Sequence, residues 1–353
     1  MKVLVTGGAG FIGSAFIRRF LATAEGQVVN VDCLTYAANT DRLLNVASDP
    51  RYVFVQADIR DGERLSAVLL QESPNAIVHF AAESHVDRSI DSPAVFLQTN
   101  VLGTGALLEA AARYWKQGTH TDFRFLHVST DEVYGDLGDT GVFDETSPYR
   151  PNSPYAASKA AADHLARAWH RTYELPIIVT NTCNNYGPYQ FPEKLIPLVI
   201  LRARLGRSIP LYGDGTNVRD WIHVDDHVDA LIGILKRGRV GETYAISANE
   251  THTNKSVVEG ICDAIDASET ASGRPARTLI EFVTDRPGHD YRYALDPAKV
   301  MREFGWRPSR DFSQGLKQTV EWYLANEAWW RAILADGYEG ERLGLIVRPS
   351  AAR

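Results

Sequence analysis

The chain has 353 residues, a formal net charge of −7, and 44% hydrophobic against 23% charged residues. That length suits one large domain or two closely packed ones, and the mild acidity argues against a broad nucleic-acid or anionic-membrane surface. The three cysteines, Cys33, Cys183 and Cys262, are scattered and odd in number, which speaks against a disulfide framework or a zinc site and fits a reducing compartment.

The opening "MKVLVTGGAG" has no signal-peptide core, and no apolar run reaches bilayer length. The expected setting is cytoplasmic, with no membrane and no nucleic acid as partner. In chain order, "KVLVTG", "VVNVD", "YVFVQAD", "AIVHFAA", "FRFLHVS" and "PIIVTNT" read as buried strands. Between them "SAFIRRFLATA" and "GTGALLEAAARYW" carry helical spacing. Strand–helix alternation predicts a parallel sheet covered on both faces, with ligands at the strands' carboxyl ends.

After Pro188 the pattern is irregular. "FPEKLIPLVILRARLG" reads as a helix and "IPLYG" as a short strand. "VDDHVDALIGILKRG" and "TYAIS" resume the alternation. "NKSVVEGICDAID" is a helix with Asn254 as its N-cap, and "VEWYLANEAWWRAIL" is a last amphipathic helix. The expected division puts 1–187 with 222–248 in a first domain and 188–221 with 249–335 in a smaller second one. Residues 336–353 form a loose C-terminal tail.

"VTGGAGFIG" places Gly7, Gly10 and Gly13 between a strand and a helix, around Phe11 and Ile12. The first glycine permits the turn, the second lets backbone approach a pyrophosphate, and the third lets helix pack on strand. Asp32 ends "VVNVD" about twenty residues on, where a carboxylate accepts from an adenosine ribose and disfavours the extra phosphate of NADP. The cofactor expected is therefore NAD. Asp58 and Ile59 are expected to bracket the adenine. Phe80, Ala81, Ala82 and Ser84 lie at the next strand end, and Thr99 begins the following helical segment.

"SPYAASK" sets Tyr155 and Lys159 four apart, on one helix face. A free tyrosine, with a pKa of about 10, is a poor base at neutral pH. A neighbouring ammonium and a cationic nicotinamide favour its phenolate, so Tyr155 is the candidate base for a substrate hydroxyl that Thr130 holds. "STDE" then puts Asp131 beside Glu132 at a strand end. Burial and mutual repulsion are expected to raise one pKa, so that the pair keeps one proton near neutrality.

The glycine turn, Asp32 and Tyr-x-x-x-Lys resemble the extended short-chain dehydrogenase/reductase family over nearly the whole chain. "STDEVYGD" resembles its nucleotide-sugar 4,6-dehydratases. The resemblance implies a Rossmann-type doubly wound parallel sheet with a smaller mixed α/β domain, a dTDP-sugar substrate, no metal, and a homodimer formed through a helical face. It implies oxidation at sugar C4, loss of water across C5 and C6 with Asp131 as acid and Glu132 as base, and hydride return to C6.

"TNTCNNYGPYQFPEKLIP" is similar to the family's "TNCSNNYGP…FPEKLIP", departing at Thr182 and Cys183. By that match Asn184, Glu193 and Lys194 meet the substrate and Asn185 the cofactor side. Ser84 is shared between the two ligands. Pro210, Leu211, Tyr212, Arg219, Asn254, Asp285, Arg286 and His289 are implied for the nucleotide end. Arg219 suits a diphosphate; its alternative is a salt bridge with Asp220 or Asp225. "DCLTYAAN" resembles "DKLTYAGN", with Cys33, Leu34 and Thr35 on the cofactor, Tyr36 retained, and Cys33 and Ala38 replacing lysine and glycine. Two rivals stand beside this reading. An epimerase or decarboxylase of the same fold leaves Asp131 and Glu132 unused, and a non-catalytic NAD-binding sensor has no need of Tyr155 and Lys159.

Overall fold

The computed structural model describes residues 1–23, 26–118, 122–268, 274–335 and 343–344. Its strands are β1 Lys2–Thr6, β2 Gln27–Asp32, β3 Tyr52–Gln56, β4 Ala76–His79, β5 Arg124–Thr130, β6 Ile177–Thr182, β7 Asn184–Tyr186, β8 Ile209–Tyr212, β9 Val218–His223, β10 Thr243–Ile246, β11 Thr251–Thr253 and β12 Ile280–Val283. Seven form one parallel sheet in the order β10-β6-β5-β4-β1-β2-β3. Alternate residues feed opposite faces: Val3 and Val5 join Phe16 and Leu231 on one side, while Leu4 joins Leu107 and Ile77 on the other. This is the doubly wound sheet expected.

β1 has β2 on one side and β4 on the other. The strand order reverses there, which opens a crevice at the carboxyl ends. A third apolar core gathers Tyr186, Trp221, Ile196, Ile261, Tyr323 and Trp330 around the three-stranded β11-β9-β7 and two-stranded β12-β8 sheets.

Four expectations need correction. "YVFVQ" does form a strand, but an edge one, with Val53 41% and Phe54 38% exposed. The segment around Thr99 is a π-helical stretch, Leu97–Gly103, leading into the helix Thr104–Trp115. The last helix is two, Phe312–Ala325 and Glu327–Ala335. At the break the Asn326 amide donates to the Trp322 carbonyl (2.8 Å), and the chain folds back so that the Trp330 indole donates to the Tyr323 carbonyl (2.9 Å).

Finally, Thr253 rather than Asn254 caps the helix Asn254–Ser268: its hydroxyl accepts from the Ser256 N–H at 3.0 Å. We expect Thr253→Ala to cost about 1 kcal/mol in urea unfolding and Asn254→Ala clearly less; equal costs would contradict the assignment. The tail lies mostly outside the described residues. Of its described part, the Gly344 N–H donates to Asp91 (2.9 Å).

Candidate active site

A cavity of about 430 Å³ opens at the crevice, within the usual range for a ligand cleft. Gly7, at the end of β1, has a φ of +73°, and a Cβ there would stand 2.6 Å from the Ala81 nitrogen. A Cβ on Gly13 would stand 2.3 Å from the Gly7 carbonyl oxygen. Only bare backbone allows the helix Phe11–Thr23 to begin this close to the strands, leaving its N-terminus open to a phosphate. The buried Asp32 carboxylate accepts from the N–H groups of Ala9 (2.9 Å) and Leu34 (2.8 Å). Burial pushes its pKa up and these two donors pull it down. A bare helix start next to a fixed carboxylate fits an NAD-type dinucleotide.

The predicted cofactor residues Gly7, Gly10, Phe11, Ile12, Gly13, Asp32, Cys33, Thr35, Asp58, Ile59, Phe80, Ala81, Ala82, Ser84 and Thr99 all line this cavity. Leu34 does not; its backbone N–H serves Asp32 instead. Thr130, Asp131, Glu132, Tyr155, Lys159, Asn184, Asn185, Glu193 and Lys194 line it too. One space therefore holds the predicted oxidation residues and the acid–base pair together.

Tyr155 and Lys159 project from the helix Pro154–Tyr173, whose start is fixed by Pro154 and by the Ser153 hydroxyl accepting from the Ala156 N–H (3.1 Å). The Lys159 ammonium donates to the Val128 carbonyl at 2.9 Å, and burial lowers its pKa. Tyr155 is hydrogen-bonded to Thr130, yet burial, then the charge of Glu132, push its pKa up. The Thr130 hydrogen bond works against that rise.

β5 delivers the acids. The Thr130 hydroxyl donates to Asp131 Oδ1 (3.1 Å) and accepts from the Glu132 N–H (3.3 Å). Asp131 is buried, and its Oδ2 has no hydrogen-bond partner. Burial first, then Glu132 and Asp220, raise its pKa far above the ordinary carboxylate range. Glu132 is also raised by burial, but Arg219, Lys194 and Arg286 all oppose that. The two neighbours are thus unequal: burial and two carboxylates push Asp131 toward its acid form, and Glu132 is the one whose anion three cations favour.

The residues implied for the nucleotide end lie outside this cavity's lining. Arg219 donates to the carbonyls of Val218 (2.8 Å), Asp290 (2.9 Å) and Tyr291 (3.2 Å). It makes neither of the salt bridges weighed above, and its guanidinium lies 4.4 Å from the Tyr293 ring centre. Arg286 pairs with Asp87 (3.3 Å), which also accepts from the Tyr212 hydroxyl (3.0 Å). His289 pairs with Asp285 at 2.7 Å. Leu211 belongs to the third apolar core, Pro210 lies beside it on β8, and Asn254 opens its helix.

Of the remaining wall residues, Arg42 carried no sequence signal. Arg42 is buried, donating to the carbonyls of Ala9 (2.7 Å) and Ala37 (2.8 Å), so it holds the cofactor loop to the glycine turn. Glu193 accepts from the Tyr36 hydroxyl and from Arg88, both at 3.0 Å. Lys194 donates to the Ser84 carbonyl (2.5 Å). Among the described residues no group of three His, Cys, Asp or Glu side chains is placed to hold a metal ion.

Comparison with known proteins bears on this arrangement. The family model for GDP-mannose 4,6 dehydratase matches residues 4–319. The dTDP-glucose 4,6-dehydratase of Neisseria meningitidis serogroup B is 55% identical over 352 residues, covering 97% of this chain and 99% of that protein. The enzyme of the same name from Xanthomonas campestris pv. campestris is 54% identical, with 98% and 99% covered. Among solved structures, the dTDP-glucose 4,6-dehydratase of Streptomyces venezuelae with NAD bound superposes with a TM-score of 0.88 at 48% identity, over 94% of this chain and 100% of that one. The UDP-glucose 4-epimerase of Thermus thermophilus, in complex with NAD, gives 0.81 at 30% identity, over 92% and 100%. Half of all residues shared over almost the full length, on the same fold, means that the chain belongs to the nucleotide-sugar 4,6-dehydratase family of extended short-chain dehydrogenases/reductases.

Proposed function

We propose that this chain is an NAD-dependent lyase that converts dTDP-glucose to dTDP-4-keto-6-deoxyglucose and water. The observation that carries the reading is the unequal pair at the end of β5: a buried Asp131 pushed toward its acid form beside a Glu132 whose anion Arg219, Lys194 and Arg286 favour, in one cavity with Tyr155 and Lys159. An epimerase needs the second pair and has no use for the first.

The glycine turn, Asp32 and the Asp58–Ile59 and Phe80–Ser84 strand ends hold NAD, with Asn185 on the same side. NAD supplies the hydride acceptor for sugar C4 and the donor for C6. Thr130 fixes the C4 hydroxyl, and Tyr155 takes its proton. Glu132 takes the C5 proton, acidified by the C4 ketone, and Asp131 gives its proton to the leaving C6 hydroxyl. General acid and base steps of this kind each contribute roughly 10²- to 10⁴-fold. Asn184, Glu193 and Lys194 contact the sugar. Arg219, Arg286, His289 and their neighbours meet the nucleotide end, a role supported by the cationic groups gathered there.

The chain acts as a homodimer in the cytoplasm on this reading. Its support is the exposed Val95, Leu97 and Leu102 near the helix Thr104–Trp115 and three cysteines without disulfides. No helix among the described residues is long and apolar enough to cross a membrane.

Incubation with dTDP-glucose in deuterated water, read by mass spectrometry and NMR, tests the reaction. Loss of one water with deuterium at C5 is expected. Unchanged sugar, or inversion at C4 alone, overturns the proposal.

A further inference from the structure

The helix Pro154–Tyr173 carries more than Tyr155 and Lys159. One turn on, at the same four-residue spacing, stands Asp163, and one turn further Arg167. Asp163 is wholly buried. Its carboxylate accepts from His127 Nε2 (2.9 Å, β5), from the Tyr149 hydroxyl (2.7 Å) and from the Asn181 amide (3.1 Å, β6). His127 Nδ1 has no partner and burial lowers the ring's pKa, so the imidazole is neutral, with its hydrogen on Nε2 facing Asp163. All three donors are uncharged. Arg167 reaches the Tyr149 hydroxyl (2.8 Å) and holds that donor in place.

A carboxylate sealed in a dry interior and met by neutral donors is costly unless a nearby cation uses its charge. Of the two cations one turn away on this helix, Arg167 is engaged by the Tyr149 and Thr243 hydroxyls, which leaves the buried Lys159. Its own hydrogen bond goes to a neutral carbonyl, Val128. The groups facing it from the packed elements are His127 on β5 and His79 on β4, both buried and neutral, with Tyr155 and Asp163 on its own helix. Asp163 is the anion that favours its ammonium form.

We propose that Asp163 is a positioning residue for the catalytic pair: its carboxylate, fixed by His127, Tyr149 and Asn181, is the counter-charge that keeps the buried Lys159 an ammonium. The proposal rests on the reading of Tyr155 and Lys159 as the oxidation pair. It assigns a function to a network that otherwise only ties the helix to the sheet.

The sign of the effect separates the two roles. A nearby negative charge raises the pKa of an ammonium and of a phenol alike. Removing it should move both limbs of the pH–rate profile toward acid, by on the order of one pH unit. A packing defect lowers the rate without moving the limbs together. The experiment compares pH–rate profiles of dTDP-glucose turnover for the wild-type holoenzyme, Asp163→Asn and Asp163→Glu, with melting temperature and bound NAD recorded for each.

The expected result is that Asp163→Asn shifts both limbs down while Asp163→Glu leaves them in place at reduced height. A second neutral variant, Asp163→Ser, covers a failure of Asp163→Asn to fold. Unmoved limbs in the neutral variants, or an equal shift in Asp163→Glu, overturn the proposal. Tyr155→Phe serves as the control. If it retains full activity, the oxidation reading itself falls. If it is inactive while the Asp163→Asn limbs stay put, only the role of Asp163 falls.

Discussion

Asp131→Asn should cut product formation by about 10²- to 10⁴-fold while leaving deuterium exchange at C5 of the recovered sugar nucleotide. The amide cannot transfer a proton to the departing C6 hydroxyl, but oxidation at C4 and proton removal by Glu132 need nothing from it. Glu132→Gln should abolish the C5 exchange as well. The same Asp131 substitution is expected to raise thermal stability at alkaline pH. The native pKa of Asp131 lies above its unfolded value, so the native chain binds that proton more tightly. Its stability contribution therefore falls as pH rises from the unfolded carboxylate range toward the native value. Asparagine removes that slope. A melting curve against pH that keeps the wild-type slope, or loss of C5 exchange in both variants, would refute the division of labour.

Gly13→Ala should yield folded protein with little cofactor. The added Cβ would stand 2.3 Å from the Gly7 carbonyl oxygen and 2.9 Å from the Gly8 Cα, all backbone with no side chain free to yield. Overpacking of this kind costs about 1–3 kcal/mol, or roughly 5- to 150-fold if it falls on the turn that receives the pyrophosphate. Nucleotide released on denaturation, per mole of chain, measures it. Gly105→Ala is the matched control: its Cβ would meet only Leu165 Cδ1, at 3.9 Å, within a helix. That variant should hold wild-type NAD and gain up to about 1 kcal/mol from helix propensity. Equal losses in the two variants would mean that the turn is not what holds the cofactor.

The parallel sheet was legible because β-branched runs alternating with 3.6-period segments have few other ways to bury both faces. What the runs do not encode is neighbour order. "YVFVQ" reads like "KVLVT", and only the topology that ends at β3 leaves Val53 and Phe54 open. The C-terminal break was hidden because the aromatic run "EAWW" continues an amphipathic pattern, although Trp330 is used by folding back on Tyr323. At the site, adjacency alone singled out Asp131 and Glu132. Their inequality was not legible, since it comes from Lys194, Arg219 and Arg286, far along the chain from β5 and brought near by β9 and the loops around it. Asp163 was overlooked for a similar reason: its partners His127, Tyr149 and Asn181 come from three separate segments.

The edge strand β10 pairs with β6, Tyr244 against Thr180, only after β7, β8, β9 and the helix Val224–Arg237 have been made. During synthesis the apolar flank of β6 must wait, unzipped, for a partner that leaves the ribosome some sixty residues later. Such long-range pairing is slow and exposes the nascent chain to aggregation. A nonsense codon anywhere between β6 and β10 would therefore release a product with an open, sticky sheet border. A premature stop beyond Ile246 would at least leave all seven strands in place.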